Sequence, residues 1–243
     1  MKRFSTAAAL LALALPSTAQ ETAAPGPVAA ETVQVSSIKD PALQPYRRML
    51  RGLDAWDKQR ALAPQASLRF ELWTADGHPA PVEGLQLRIA GERVDIALPL
   101  DAEGSFALPR SQEADEDDAD LISNRRKDQL RWRPRVRTPG LPGNVRRLGD
   151  LRMECAVSMA IGKEEVPLLF RAAALAAGGL CRLPQVAYQY RTPRPVASAT
   201  LVSGERREAL RLYRNGREIV APLRDSSWDD ETLIVYAFAS DQP

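Results

Sequence analysis

The chain has 243 residues, of which 33 are basic and 31 are acidic, and its formal net charge is +2 at pH 7. Such a balanced composition gives no reason to expect nucleic acid or a charged membrane as the main partner. The length suits one large domain or two small ones.

Residues 1–19 have the three zones of a secretory signal peptide. Lys2 and Arg3 form a basic start, residues 7–15 are an unbroken apolar run, and the small residue Ala19 precedes the predicted cut. The run is shorter than the ~20 residues that a membrane-spanning helix needs. We therefore predict a periplasmic or secreted protein, with an uncleaved anchor as the alternative. Removal of the segment would leave equal numbers of basic and acidic residues.

The next part of the chain divides into a leader and a helix. Residues 20–39 have few large apolar side chains to bury and are predicted to be a flexible leader. Residues 40–64 are predicted to form a helix with Asp40 as its cap and Pro41 in its first turn. Its apolar stripe would consist of Tyr46, Met49, Leu50, Leu53 and Trp56.

Residues 65–110 alternate between apolar and polar positions, which is typical of antiparallel strands. Four short strands are expected, separated by turns at Asp76-Gly77, at Gly91 and at residues 101–104. The pattern predicts a β-sandwich-like region.

This region, residues 67–110, resembles the transthyretin-like sandwich that occurs as a carboxypeptidase regulatory-like domain. The resemblance rests on residues 84–87 (GLQL), residues 100–106 (LDAEGSF) and Leu108-Pro109. It implies a scaffold or adhesion module without catalytic residues. The remainder of the chain resembles proteobacterial periplasmic proteins in a general way.

Residues 111–145 are predicted to be a charged linker that contains one basic strand. Its acidic part, residues 111–120, is expected to be a flexible loop and a domain boundary. The basic strand carries an arginine at every second position, and these four residues, here called the arginine ladder, are Arg131, Arg133, Arg135 and Arg137. In an extended chain all four guanidinium groups project from one face, while Trp132 and Val136 face the core. Pro134 favours an edge strand.

Arginine forks suit phosphate and carboxylate groups, so the arginine ladder is a candidate binding surface for an anion. The more ordinary alternative is that the acidic residues at 113–120 neutralise it. Arg146 and Arg147 would extend the same basic surface.

Residues 146–243 are predicted to be a disulfide-linked region of mixed α and β structure. A strand at residues 150–161 would carry Cys155, and a short buried helix at residues 167–177 would end at Gly178, just before Cys181. In an oxidising compartment these two cysteines are expected to form a disulfide, with buried thiols or a redox pair as alternatives.

The end of the chain is predicted to be β-structure. Asn215-Gly216 is a strong hairpin signal. Residues 232–239 are almost entirely apolar, which predicts a central closing strand that is covered on both faces.

The sequence excludes most familiar enzyme chemistry. His78 is the single histidine, so a zinc site with two or three histidines is excluded, and no phosphate-binding loop or serine-hydrolase elbow occurs. The acidic runs do not have the spacing of a calcium loop. We predict no catalytic residue, metal or cofactor.

The patterns together predict a mainly antiparallel, sandwich-like β fold with an N-terminal helix and one short internal helix, or an α+β fold. The expected function is that of an exported, non-enzymatic interaction or scaffold protein whose partner is an envelope protein or an anionic envelope polymer. The alternatives are a binding protein for an anionic envelope component, which would use the arginine ladder, and a hydrolase that uses His78.

Overall fold

Strands from the first half of the described chain form two antiparallel sheets. The structure, a computed structural model, describes residues 39–184 and 188–239, which belong to one compact unit, Gln34–Pro243. The strands are β1 (Pro41–Pro45), β2 (Ser67–Thr74), β3 (Leu87–Ala90), β4 (Asp95–Leu98), β5 (Ser105–Phe106), β6 (Asp120–Arg126) and β7 (Leu130–Arg137). One sheet has the order β1-β6-β3-β4 and the other β5-β2-β7. The predicted signal peptide and all but the last residue of the predicted leader lie outside the described residues.

Strands from the second half form two more antiparallel sheets. They are β8 (Val145–Arg147), β9 (Gln189–Arg191), β10 (Val196–Ser203), β11 (Arg206–Ala209), β12 (Leu212–Tyr213), β13 (Glu218–Val220) and β14 (Leu233–Phe238). One sheet has the order β11-β10-β14-β8 and the other β12-β13-β9. The predicted fold class, mainly antiparallel β with some helix, is confirmed.

Four α-helices accompany the sheets within the described residues. They are α1 (Tyr46–Lys58), α2 (Gln112–Glu116), α3 (Leu148–Ile161) and α4 (Leu168–Ala177), and short 3-10 helices follow at Arg60–Leu62, Lys163–Glu165 and Leu180–Arg182. The sequence predicted one short internal helix, whereas the described chain has three helices after α1.

The described residues form two hydrophobic cores. The sheets of β1 to β7 bury side chains such as Phe70, Ile89 and Leu121 in the first core. The sheets of β8 to β14 bury side chains such as Leu201 and Ile234 in the second core. Strands from residues 65–110 share the first core and their sheets with β1, β6 and β7, so this region is not a self-contained sandwich.

The N-terminal helix begins later than the sequence predicts. Asp40 has a positive φ of 54° instead of capping a helix, and Pro41–Pro45 is the strand β1, which pairs with β6. The ring of Pro45 disfavours helical geometry at Gln44, so α1 begins only at Tyr46. Helix α1 then packs closely against α3, because a Cβ atom at Gly52 would lie 2.8 Å from Cγ1 of Ile161.

The segment predicted as a strand at residues 150–161 is the helix α3. Met153 and Val157 are buried in the first core, whereas Leu151 and Cys155 are buried in the second core. A helix that is covered on opposite sides carries apolar residues all round and loses the one-sided pattern that identifies a surface helix.

The charged linker predicted at residues 111–145 is folded. Ser111 caps α2 by accepting a hydrogen bond from the backbone N–H of Ala114 at 3.1 Å. Strand β6 lies between β1 and β3, with Leu121 and Ser123 buried. Only Leu121 and Ser123 of β6 are buried, and the strand also carries Asp120, Arg125 and Arg126, so local sequence alone resembles a charged linker.

The predicted disulfide is confirmed. Cys155 in α3 and Cys181 are bonded across a sequence separation of 26 residues, with Cα atoms 6.1 Å apart. Helix α4 lies within this closed loop and ends at Gly178, whose φ of 77° provides the left-handed cap. The expectation that this helix is buried was wrong, because only Ala174 among its residues is buried.

The C-terminal strands form where the turn signals place them. The hairpin of β12 and β13 turns through Asn215-Gly216, both with positive φ. Strand β14 has two sheet neighbours and is therefore central, but its burial alternates, with Ile234 buried and Ala237 exposed. Coverage on both faces was thus a wrong expectation.

Candidate functional site

The arginine ladder lies on strand β7, whose sheet neighbour is β2. In the register of these strands, Glu71 lies opposite Arg133 and Arg69 lies opposite Arg135. Trp132 and Val136, which alternate with the arginines, pack on the first core. One face of the sheet is therefore apolar, and the other carries a dense set of charges. Within the described residues β7 is an edge strand, the arrangement that Pro134 favours.

The charged face of this sheet forms one wall of a cleft with a volume of about 330 Å³. Its other walls come from β8, β9, β14 and α3, so the cleft lies where the two halves of the fold meet. The charged and aromatic lining residues are Glu71, Trp73, Glu103, Arg133, Arg135, Arg137, Arg146, Glu154, Tyr190, Arg191 and Tyr236. Three members of the ladder are among them, whereas the exposed Arg131 is not.

Arg133 has the most available donors in the cleft. Its guanidinium carbon lies 4.7 Å from the centre of the Trp73 ring, which holds the group flat over an aromatic face. Within the described residues, Arg133 donates no hydrogen bond. A guanidinium that is stacked on a ring and has unused N–H groups is suited to a bidentate bond with phosphate or carboxylate.

Arg135 and Arg137 are partly engaged. Arg135 forms an ion pair with Glu103. Arg137 donates from Nη2 to the backbone oxygen of Pro142 at 2.9 Å, and no described carboxylate binds it. The positive charge that remains for a ligand is therefore concentrated on Arg133 and Arg137.

A buried ion pair supports the inner wall of the cleft. Nη2 of Arg146 lies 2.7 Å from Oε1 of Glu154, and both side chains are 4% exposed. The same carboxylate oxygen accepts the backbone N–H of Val136 at 2.8 Å, which ties α3 to the ladder strand. Burial alone would lower the pKa of Arg146, but its attraction to Glu154 raises that pKa well above the usual value. The guanidinium also stacks on Tyr190 at 4.7 Å.

Glu71 is the titratable group that lies directly opposite the arginine ladder in the sheet. Burial raises the pKa of its carboxyl group, and nearby Glu154 adds to the effect. A hydrogen bond from Nε1 of Trp73 at 2.7 Å and the charges of Arg133 and Arg135 only partly offset it. Glu71 therefore takes up a proton more readily than an exposed carboxylate does.

The acidic residues at 113–120 do not neutralise the ladder. Asp115 and Asp118 bind Arg47 at 2.9 and 2.6 Å. Asp117 accepts hydrogen bonds from the backbone N–H and the side chain of Arg93 at 2.8 and 3.0 Å. The alternative in which this segment covers the ladder was therefore wrong.

Only one of the two further arginines extends the basic surface. Arg146 lines the cleft, but Arg147 is buried elsewhere, where it pairs with Glu231 and donates to the backbone oxygen of Leu62 at 2.7 Å. The roles of Glu71, Glu154 and Tyr190 could not be read from the sequence, because their positions depend on contacts between distant segments.

His78 does not have the surroundings of a catalytic base. Its Nδ1 atom lies 3.1 Å from Nη1 of Arg217, and since a guanidinium only donates, that nitrogen accepts. No serine hydroxyl among the described residues bonds to this ring. The described chain likewise contains no group of three or more His, Cys, Asp or Glu side chains arranged to hold a metal ion.

Comparisons with protein-family models, with curated proteins and with solved structures find no match to this chain. The transthyretin-like resemblance of residues 67–110 therefore stays a prediction, and the cleft is the feature of this chain that bears on its function.

Proposed function

We propose that this chain is an exported, non-enzymatic binding protein that holds an anionic component of the cell envelope in the arginine-lined cleft. The observation that carries the proposal is Arg133, which lies over Trp73 in the cleft with no hydrogen bond to any described residue. Arginines that serve only stability are normally paired, as Arg135 and Arg146 are here.

The cleft favours a compact ligand. A volume of about 330 Å³ lies at the lower end of small-molecule sites, so a small anion or one unit of a polymer fits. The faces of Trp73 and Tyr190 are already covered by Arg133 and Arg146, which leaves charge-assisted hydrogen bonds as the main source of affinity. The ligand groups that match are phosphate and carboxylate.

The envelope location is the second part of the proposal. Residues 1–19 have the pattern of a signal peptide, and a disulfide such as Cys155–Cys181 forms and persists in oxidising compartments. Both features support export.

Calorimetric titration of the exported protein with inorganic pyrophosphate at low salt tests the binding site. Arg133→Gln is expected to weaken binding about 10- to 100-fold, the loss of affinity that corresponds to one charge-assisted hydrogen bond. Arg131→Gln is the matched control, because Arg131 lies on the same strand outside the cleft and donates to backbone oxygens of Lys127 and Leu130. Unchanged affinity in the Arg133 variant, or an equal loss in the control, would refute the assignment.

A further inference from the structure

Helix α4 presents an apolar surface that nothing in the described chain covers. Leu168, Leu169 and Leu175 are 75, 79 and 86% exposed, and Phe170 is 42% exposed. Large apolar side chains so exposed and so close together indicate a surface that meets another apolar phase.

The exposed apolar arc of α4 is unusually broad. With 3.6 residues per turn, Leu168 and Leu175 lie about 20° apart, and Leu169 and Phe170 lie roughly 100° and 200° further round. The arc thus spans about 220°, and Ala172, Ala173 and Ala176 within it are exposed as well. A protein groove normally receives a stripe of roughly 100°. A fluid apolar phase can surround a wider arc.

The charged side chains of residues 166–184, which include α4, have one sign, and the preceding Glu164 and Glu165 pair with Arg48 and Arg51 of α1. Residues 166–184 contain no acidic residue, and their charged side chains are Arg171 and Arg182. Arg171 precedes the buried Ala174 by three residues, so it lies on the flank of the helix toward the protein body. Arg182 is exposed at the end of the disulfide-closed loop, and no described carboxylate pairs with it. Both positions suit contact with anionic headgroups while the leucines enter the layer below.

We propose that α4 is an interfacial helix that docks the protein on the surface of an anionic lipid bilayer. Its ten residues extend about 15 Å, half of the hydrocarbon thickness, so the helix would lie along the surface. Among the described helices, none is long and apolar enough to cross a membrane. The Cys155–Cys181 bond ties the chain just after α4 to α3, whose Cys155 is buried in the second core.

Vesicle co-sedimentation of the disulfide-bonded, exported protein tests the apolar part of the proposal. Vesicles of phosphatidylcholine with phosphatidylglycerol are expected to bind the protein, and Leu168→Ser with Leu175→Ser should lower the partition about 100-fold, roughly tenfold for each leucine. Leu43→Ser is the matched control, because Leu43 is 46% exposed on strand β1. It should leave the partition unchanged.

The charge contribution has its own control. Arg182→Gln should weaken binding to the anionic vesicles several-fold and leave the weak binding to pure phosphatidylcholine unchanged, whereas Arg207→Gln on strand β11 should change neither. A second variant, Leu175→Trp, should show blue-shifted tryptophan emission on addition of the anionic vesicles, and this readout holds even if the double serine variant fails to fold.

Three results would overturn the proposal. The first is a wild-type protein that does not bind the anionic vesicles, and the second is equal loss of binding in the Leu43 control. The third is a dimer, seen by analytical ultracentrifugation, that the double serine variant converts to a monomer while vesicle binding is absent. That last result would assign α4 to contact between two copies of the chain.

Discussion

Glu154→Gln removes one charge from the buried pair with Arg146 and keeps nearly the same side-chain shape. The amide oxygen can still accept the backbone N–H of Val136, which Glu154 binds at 2.8 Å. Arg146, however, would keep its positive charge at 3% exposure without a counterion. Removing one partner of a buried ion pair costs about 3–5 kcal/mol, and we expect the free energy of unfolding to fall by that amount.

Two further variants separate the charge effect from other causes. Asp128→Asn breaks the Arg126–Asp128 pair, whose side chains are 62 and 61% exposed, and should cost less than about 1 kcal/mol. Combining Arg146→Met with Glu154→Gln removes both charges, so the double variant should be more stable than Glu154→Gln alone.

The assay is urea unfolding at equilibrium, followed by tryptophan fluorescence and by circular dichroism. Coincident transitions would establish the two-state behaviour that the comparison needs. If the double variant is no more stable than Glu154→Gln, the uncompensated charge is not the cause of the loss, and the account of this wall of the cleft is wrong.

Two other predictions concern the disulfide and the acidity of Glu71. Reduction of Cys155–Cys181, or its replacement by two alanines, should lower the free energy of unfolding by about 3.5 kcal/mol for a loop of 26 residues, and a urea midpoint insensitive to reductant would contradict this. Because burial raises the pKa of Glu71, its contribution to stability is present below the ordinary carboxyl pKa and should be lost as the pH rises through the folded-state value. Neutral Glu71 also repels an anion less, so affinity for sulfate, whose charge stays constant, should increase as the pH falls. Glu71→Gln should flatten both pH profiles, and unchanged profiles would show that another group is responsible.

Local signals predicted much of the β-structure. Alternation of Leu68, Phe70 and Leu72 marks β2 because a strand exposes one face to a core and the other to polar surroundings. Asn215-Gly216 marks a hairpin because both residues tolerate positive φ. Both signals depend only on residues close in sequence.

Elements whose surroundings come from distant segments were missed. Helix α3 has apolar residues on opposite sides because it lies between two cores, and β6 is a strand because β1 and β3 flank it. The arginine ladder itself was evident, but its partners were not. Glu103, in the turn before β5, and Arg146, on β8, reach it only in the folded chain, so the sequence could not decide between a neutralised surface and an open cleft.

The placement of Glu154 connects the stability of the fold to the proposed binding. Its neighbours Met153 and Cys155 are buried in different cores, so the Glu154 carboxylate lies between the two cores. There it accepts hydrogen bonds from the backbone N–H of Val136 and from the guanidinium of Arg146. Replacement of such a pair by apolar side chains is often neutral or stabilising, so stability alone does not explain its presence. Moreover, Nε of Arg146 is buried and has no hydrogen-bond partner in the described part of the chain, which carries a cost of its own. A fold that keeps these charges in the same cleft as Arg133, which donates no hydrogen bond within the described residues, maintains a positive cleft at the expense of stability, and this is the arrangement that binding of an anion requires.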